Sequence, residues 1–401
     1  MSRAFFVNKM SLRDLNISGK KVLMRVDFNV PLNEDGSIRD ATRIALTLPS
    51  IQYVLSQKGR LILMSHLGRP KKSFDEKLSL KPCAKKLTTL LGQEVRFCPD
   101  CIGNVAKKMV EHLKPGEVLL LENLRFYEGE EWPEKDPSFT QALAELGDVY
   151  INDAFGAAHR SHASTASIAH YFGKNCGMGF LMEKEVEAFS KIIFNPTHPF
   201  YATIGGAKIE SKIEILQSLS KKVDAFFIGG GMAFPFLKAR GFSIGDAVCN
   251  QSALDFAHDF LIECEQKGIA VHLPIDVVVT NEKVIETVPI QEGISSGWKV
   301  KDIGPQTVKT WSEAFQKAAT VFWNGPMGVF EISPFDQGTH DLAKDLSKVS
   351  ANVLIGGGDL VAAVHSLKLE GAFSHVSSGG GASLELIARE GLPGIEALAS
   401  K

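Results

Sequence analysis

Short apolar runs recur along this chain with helical stretches between them, and that alternation limits the fold more than any other feature. Strand-like runs are read at 21–26, 60–64, 94–97, 118–121, 148–151, 200–204, 224–228, 269–273, 320–323, 352–355 and 375–377. Amphipathic spacers such as 81–92, 103–113 and 212–220 separate them. Strand–helix alternation of this kind predicts an α/β chain of parallel sheets flanked by helices, Rossmann-like in arrangement. At 401 residues the chain is too long for one ordinary core, so two such domains are expected. Ligands in these folds bind beyond the carboxyl ends of the strands, which directs attention to the residues after each run.

Composition sets further bounds. The chain is 44% hydrophobic and 22% charged, with a net charge of −2, a balance without a nucleic-acid footprint. The charge is unevenly divided: residues 1–180 hold 25 Lys+Arg against 20 Asp+Glu, and residues 181–401 hold 19 against 26. A basic first half hints at an anionic small ligand there. The opening MSRAFFVNKMSLRDL lacks the apolar core of a secretory signal, and no apolar stretch is long enough to span a bilayer. A cytoplasmic location with reduced cysteines is therefore expected. Cys98 and Cys101 form a C-x-x-C, the pattern of a redox pair or half of a zinc site. No second C-x-x-C or suitably spaced histidine pair follows, so incidental cysteines are the better reading.

The strand ends of the first half are rich in arginine. Arg25, Asp27, Asn29 and then Arg43 follow the first run; Ser65, His66, Gly68 and Arg69 follow the second. Glu122 and Arg125 follow the fourth; Asn152, Asp153, His159, Arg160 and His162 follow the fifth. Guanidinium forks recognise carboxylate and phosphate bidentately, so arginines at successive ends of one sheet predict a pocket for a small, multiply anionic substrate. The histidines are expected to hydrogen-bond or orient that substrate, not to bind zinc.

Beyond the charged amphipathic stretch Met182–Phe194, read as a connecting helix or as the last helix of the first domain, the strand ends change to glycine. They read Gly205-Gly206-Ala-Lys208, Gly229-Gly230-Gly231, Asn324-Gly325-Pro326-Met-Gly328, Gly356-Gly357-Gly358-Asp359 and Gly379-Gly380-Gly381-Ala-Ser383. Glycine lets the backbone approach a ligand closely. Five such ends predict a nucleotide lying across the sheet edge. Lys208 and Lys212, read as one turn apart on a helix face, repel each other unless an anion such as phosphate sits between them. Asp359 is read either as a Mg²⁺ ligand or as a helix N-cap. The P-loop pattern, the G-x-G-x-x-G dinucleotide fingerprint and the H-R-D and D-F-G signatures are all missing.

Taken in order, RVDFNVPL at Arg25–Leu32, SHLGRP at Ser65–Pro70, LENLRF at Leu121–Phe126 and NDAFGAAHRSHAST at Asn152–Thr165 resemble phosphoglycerate kinases. So do GGAKIESK at Gly205–Lys212, WNGPMGVFE at Trp323–Glu331, GGGD at Gly356–Asp359 and GGGAS at Gly379–Ser383. The resemblance runs from about residue 5 to the C-terminus. It implies two α/β domains facing across a cleft: residues 1–180 for 3-phosphoglycerate or 1,3-bisphosphoglycerate, and 197–389 for Mg·ADP or Mg·ATP. Residues 181–196 would be the connecting helix and hinge, and the tail from about 390 to 401 would return to the first domain. The implied reaction is reversible transfer of phosphoryl from 1,3-bisphosphoglycerate to ADP, in glycolysis and gluconeogenesis, by a monomer.

The resemblance also implies roles. Asp27, Phe28, Asn29, Arg43, His66, Leu67, Gly68, Arg69, Arg125 and Arg160 would bind the phosphoglycerate. Gly206, Lys208, Lys212, Gly230, Asn324, Pro326, Glu331, Gly357, Gly358, Asp359 and Leu360 would bind the nucleotide, with Glu331 at the ribose and Asp359 on Mg²⁺. Arg43, Lys208 and Lys212 would be catalytic. Leu360 and Pro235 stand where the family often has a hydroxyl residue, and Ser161 and Ser378 are milder departures; changes in nucleotide affinity are expected from them. Two readings compete: a binding protein that has lost catalysis, which Arg43, Lys208, Lys212 and Asp359 speak against, and an NAD-dependent dehydrogenase, which lacks its fingerprint.

Overall fold

In the computed structural model, which describes residues 8–71 and 73–401, the chain forms two compact units. Of the described residues, one unit comprises those up to 190 with 391–401, the other 191–390. Each is built on a six-stranded parallel sheet flanked by helices. Among the described residues no helix is long and apolar enough to cross a membrane.

The first sheet contains β1 Lys21–Arg25, β2 Arg60–Met64, β3 Val95–Phe97, β4 Val118–Leu120, β5 Val149–Asn152 and β6 Cys176–Met178, ordered β3-β4-β2-β1-β5-β6. Central strands covered by helices on both faces must be apolar throughout, which explains the continuous runs. Val22, Leu23 and Met24 of β1 are fully buried, as are Leu61, Ile62 and Leu63 of β2. The helix Lys81–Leu91 carries Pro82 in its first turn, where no intrahelical N–H is needed, and stops at Gly92, whose φ of +67° takes the left-handed cap. It buries Cys83, Ala84 and Leu87 in the core under this sheet. The order reverses between β1 and β5, so the crevice at a switch point opens among the residues after those two strands.

The second sheet contains β7 Phe200–Ile204, β8 Ala225–Ile228, β9 Ala270–His272, β13 Thr320–Asn324, β14 Asn352–Gly356 and β15 His375–Val376, ordered β15-β14-β13-β7-β8-β9. Its switch point lies between β7 and β13, where Ile204 is in register with Asn324 and Asn324 with Gly356. Trp311, Phe315, Trp323 and Phe227 fill one face of this sheet.

Two features depart from the pattern read in the sequence. β6 is an added edge strand, too short to stand out as an apolar run. A separate three-stranded antiparallel sheet, ordered β11-β10-β12, joins β10 Asp276–Thr280, β11 Ile285–Pro289 and β12 Lys299–Ile303. β11 is largely exposed, so its hydropathy follows solvent instead of a core.

Candidate active site

In the first unit the strand ends gather a cationic cluster held by buried partners. Arg25, at the end of β1, is 1% exposed. Its Nε donates to Ser164 Oγ at 2.7 Å and its Nη1 to the Val26 carbonyl, while Glu130 Oε1 lies 3.8 Å from Nη2. Nη2 also meets His66 Nδ1 at 3.0 Å. A guanidinium only donates, so Nδ1 of His66 accepts and the ring proton sits on Nε2. Burial, then Arg25 and Arg125, hold His66 well below the ordinary histidine range, so it is neutral near pH 7. His162 is pushed down to about 3 by burial and by Arg25, Arg125 and Arg160.

The outer members of the cluster are tied by short polar contacts. Asp27 pairs with Arg43 at 2.9 Å, and Arg43 is 40% exposed. Asn29 Oδ1 accepts from the Gly68 N–H at 2.9 Å, and Arg125 Nη1 donates to the Gly68 carbonyl at 2.7 Å. Gly68 is therefore a fixed point that joins the ends of β1, β2 and β4. Arg125 Nε lies 3.2 Å from Glu131, and Arg160 Nε donates to His159 Nε2 at 3.2 Å. Arg69 is exposed. Phe28 and Leu67 are buried, so their side chains support the site while their backbones border it; the Phe28 N–H donates to Ser65 Oγ at 2.8 Å. Arg25, expected from its strand end to line the anion pocket, is instead a buried support of His66 and Ser164, and Glu130 is the supporting residue that no motif contains. Glu130 is fully buried in sequence-distant contact with Ser164, and no local pattern signals that.

In the second unit two abutting cavities lie along the switch point. One, of about 300 Å³, is walled by apolar side chains including Phe234, Leu237, Val277, Met327 and Val329, with Gly230 and Glu331 at its border. The other, of about 640 Å³, is lined by Lys208, Lys212, Asn324, Gly357, Gly358 and Gly380. Gly206, Ala207, Pro326 and Asp359 line both. The first suits a flat aromatic group. The second suits an anion, because the helices Gly358–Ser366 and Gly381–Arg389 both start at its rim and present N–H groups unpaired within the helix.

Glycine serves two ends here. A Cβ on Gly205 would stand 2.2 Å from the Pro326 carbonyl oxygen, so close packing requires a glycine here. Gly358 has nothing within 4 Å of such a Cβ and borders open cavity.

The lysines correct one expectation. Only residues 210–212 form a single 3-10 turn before the helix Ile213–Leu219, so Lys208 and Lys212 share no helix face. Lys208 is exposed, while Lys212 turns inward and donates to Asn324 Oδ1. Burial pulls Lys212 down to about 8, with Asp359 opposing the shift. Asn324 Nδ2 is buried with no hydrogen-bond partner among the described residues and lies beside Gly357. An unpaired amide donor at this depth is costly unless a ligand oxygen meets it.

Asp359 is the second residue of its helix, whose N-cap is Gly357, so the N-cap reading is set aside. Leu360 is fully buried in the core and outside the lining of both cavities. Pro235 is the third residue of the helix Ala233–Ala239, where its missing N–H breaks no helical bond; it is buried and outside the cavity lining. Cys98 and Cys101 are buried thiols raised by burial, and Cys101 Sγ donates to the Glu122 carbonyl at 3.0 Å.

Two doubly wound parallel units, one with an arginine-lined strand edge and one with a glycine- and lysine-lined edge, define an α/β phosphotransferase. The family model "Phosphoglycerate kinase" matches residues 12–390. A phosphoglycerate kinase of Pseudothermotoga lettingae is 46% identical over 98% of this chain and all of its own length. That of Moorella thermoacetica is 47% identical, again over 98% of this chain and all of its own. The solved phosphoglycerate kinase of Coxiella burnetii superposes with a TM-score of 0.86 at 38% identity, covering 97% of this chain and 98% of its own. The chain belongs to the phosphoglycerate kinase family. Its activity is that of a phosphoglycerate kinase, an ATP-binding kinase of glycolysis.

Proposed function

We propose that the first unit holds 3-phosphoglycerate or 1,3-bisphosphoglycerate, that the second holds ADP or ATP, and that transfer runs by positioning and charge neutralisation. The observation that carries this is the division of labour among strand ends: guanidinium groups on one sheet, and ammonium groups with helix N-termini on the other. Asp27, Asn29, Arg43, His66, Arg69, Arg125 and Arg160 bind the phosphoglycerate, with the backbone of Phe28, Leu67 and Gly68. The buried Arg25 supports this by fixing His66 as an Nε2–H donor toward the substrate. Gly206, Gly230, Pro326 and Glu331 frame the nucleoside. Lys208, Lys212, Asn324, Gly357, Gly358 and the Leu360 N–H receive its phosphates.

The nucleophile is a carboxylate or a phosphate oxygen and is already ionised, so no side chain need act as general base. The barrier lies in bringing two anions together and in spreading the charge of the transferring phosphoryl. Arg43 is fixed by Asp27 and still 40% exposed, so its fork is oriented before the ligand arrives. Lys208 supplies an exposed ammonium and Lys212 one held by Asn324. Fixed cations in a water-poor site stabilise developing charge without reorganising at the moment of reaction.

The donor set suits Mg²⁺ brought in with the nucleotide: one exposed carboxylate, Asp359, borders both cavities beside the phosphate site. That ion prefers one or two carboxylates plus phosphate oxygens. When bound there it would neutralise phosphate charge. We propose further that the protein works as a cytoplasmic monomer, that its units correspond to the two substrate domains, and that the helix Phe180–Phe194 is the hinge.

Arg43→Ala and Lys208→Ala test the assignment. Each should lower kcat by about 10² or more, a loss typical of one removed transition-state contact, with the circular dichroism spectrum unchanged. Full turnover in either variant would overturn the catalytic roles.

A further inference from the structure

We propose that Asp302 is a positioning residue for the nucleotide: its carboxylate locks the loop that walls the apolar cavity, and nucleoside affinity depends on that lock. The inference rests on the reading that the nucleoside occupies this cavity. Asp302 lies near the end of β12 and is 2% exposed. Its Oδ1 accepts from the Ile303 N–H at 2.8 Å and its Oδ2 from the Gly338 N–H at 2.6 Å. Gly338 is in the first turn of the helix Gln337–Leu346, whose leading N–H groups have no partner within the helix. One carboxylate thus ties the antiparallel sheet to the start of that helix.

The loop between β13 and the helix is clamped against the same side chain. A Cβ on Gly328 would stand 2.2 Å from Asp302 Oδ1, and one on Gly338 2.5 Å. The loop is pinned again where the Val329 N–H donates to the Lys301 carbonyl and the Met327 N–H to Thr339 Oγ1, each at 2.9 Å. Met327, Gly328 and Val329 are cavity wall. Asp302 borders the same cavity beside Lys301 and Ile303, so a change in its carboxyl reaches the wall at its own position and through Gly328.

Burial biases that carboxyl toward protonation, against the two backbone hydrogen bonds it accepts. Asp336 and Asp341 flank it from the loop and the helix, His340 pairs with Asp336 at 3.5 Å, and Lys301 precedes it on its own strand. Burial, with those two aspartates, pushes Asp302 up to about 7. The raised value means that charge is present above neutrality and lost as pH falls. Protonation weakens the acceptor facing Gly338 and should loosen the wall in acid.

Adenosine is the probe, since it carries no phosphate to titrate and does not engage Lys212. Its dissociation constant in the intact protein should rise about tenfold between about pH 8 and about pH 6, the worth of one charge-assisted hydrogen bond. Asp302→Asn should bind adenosine with the weaker constant at both pH values, with the KM for 3-phosphoglycerate unchanged. A pH-independent constant in the unsubstituted protein would overturn the proposal even if the variant does not fold. So would wild-type pH dependence in the folded variant. Failure of adenosine to compete with ADP at any pH would instead remove the cavity reading, and the proposal with it.

Discussion

Lys212 is a cation kept where a cation is costly, and its surroundings decide what it can do. Burial favours the neutral amine, Asp359 and any bound phosphate favour the ammonium, and the balance in the ligand-free protein stands at about 8. The charged form is therefore complete below that value and lost above it. Nucleotide kcat/KM, which reports groups of the free protein, should fall as pH rises through about 8. Lys212→Arg, whose side chain stays charged, should remove that fall even if it lowers the maximum. A kcat/KM that stays flat in the parent protein well above that pH would contradict the account. The exposed Lys208 has no comparable burial, so the two lysines of one motif differ in chemistry although the sequence pairs them. That difference was not legible in spacing, because it depends on Asn324 and Gly357, more than a hundred residues away.

At the scale of elements, the strand-to-helix junctions carry both packing and binding, and glycine substitutions separate the two. Gly205→Ala places a methyl 2.2 Å from the Pro326 carbonyl oxygen and should destabilise the second unit by about 1–3 kcal/mol, read in a urea melt. Gly358→Ala meets nothing within 4 Å and should melt like the parent while raising the nucleotide KM. A reversal of that pattern would mean that Gly205 bounds open space and Gly358 packing. The parallel strands were legible because burial on both faces forces continuous apolar runs. β11 was not, since its largely exposed residues leave no core-facing signature, and β6 is short. The arginine and glycine strand ends were legible because they follow recognisable strands. Arg25's support by Glu130 and Ser164, and the clamp at Asp302, were not, because they join residues that only the fold brings together.

For the whole molecule, the C-terminal residues belong to the first unit, although the chain reaches them through the second. Leu392 and Ile395 are fully buried and Leu398 is 3% exposed. Lys9 Nζ donates to the Glu396 and Leu398 carbonyls, and the Met10 N–H donates to the Ala399 carbonyl at 2.8 Å. Deleting residues 391–401 should therefore destabilise the first unit by about 5 kcal/mol, the worth of a few buried aliphatic side chains. Calorimetry should show one transition moved down and the other nearly fixed; an unchanged thermogram would contradict the tail's place in that core. The central claim is that two differently lined strand edges bind two different anions for one transfer. Steady-state ADP release from Mg·ATP, followed with and without 3-phosphoglycerate, tests it most directly. The account predicts release that depends strictly on both 3-phosphoglycerate and Mg²⁺. Release at the same rate without 3-phosphoglycerate, or no release from folded protein that binds both ligands, would contradict it.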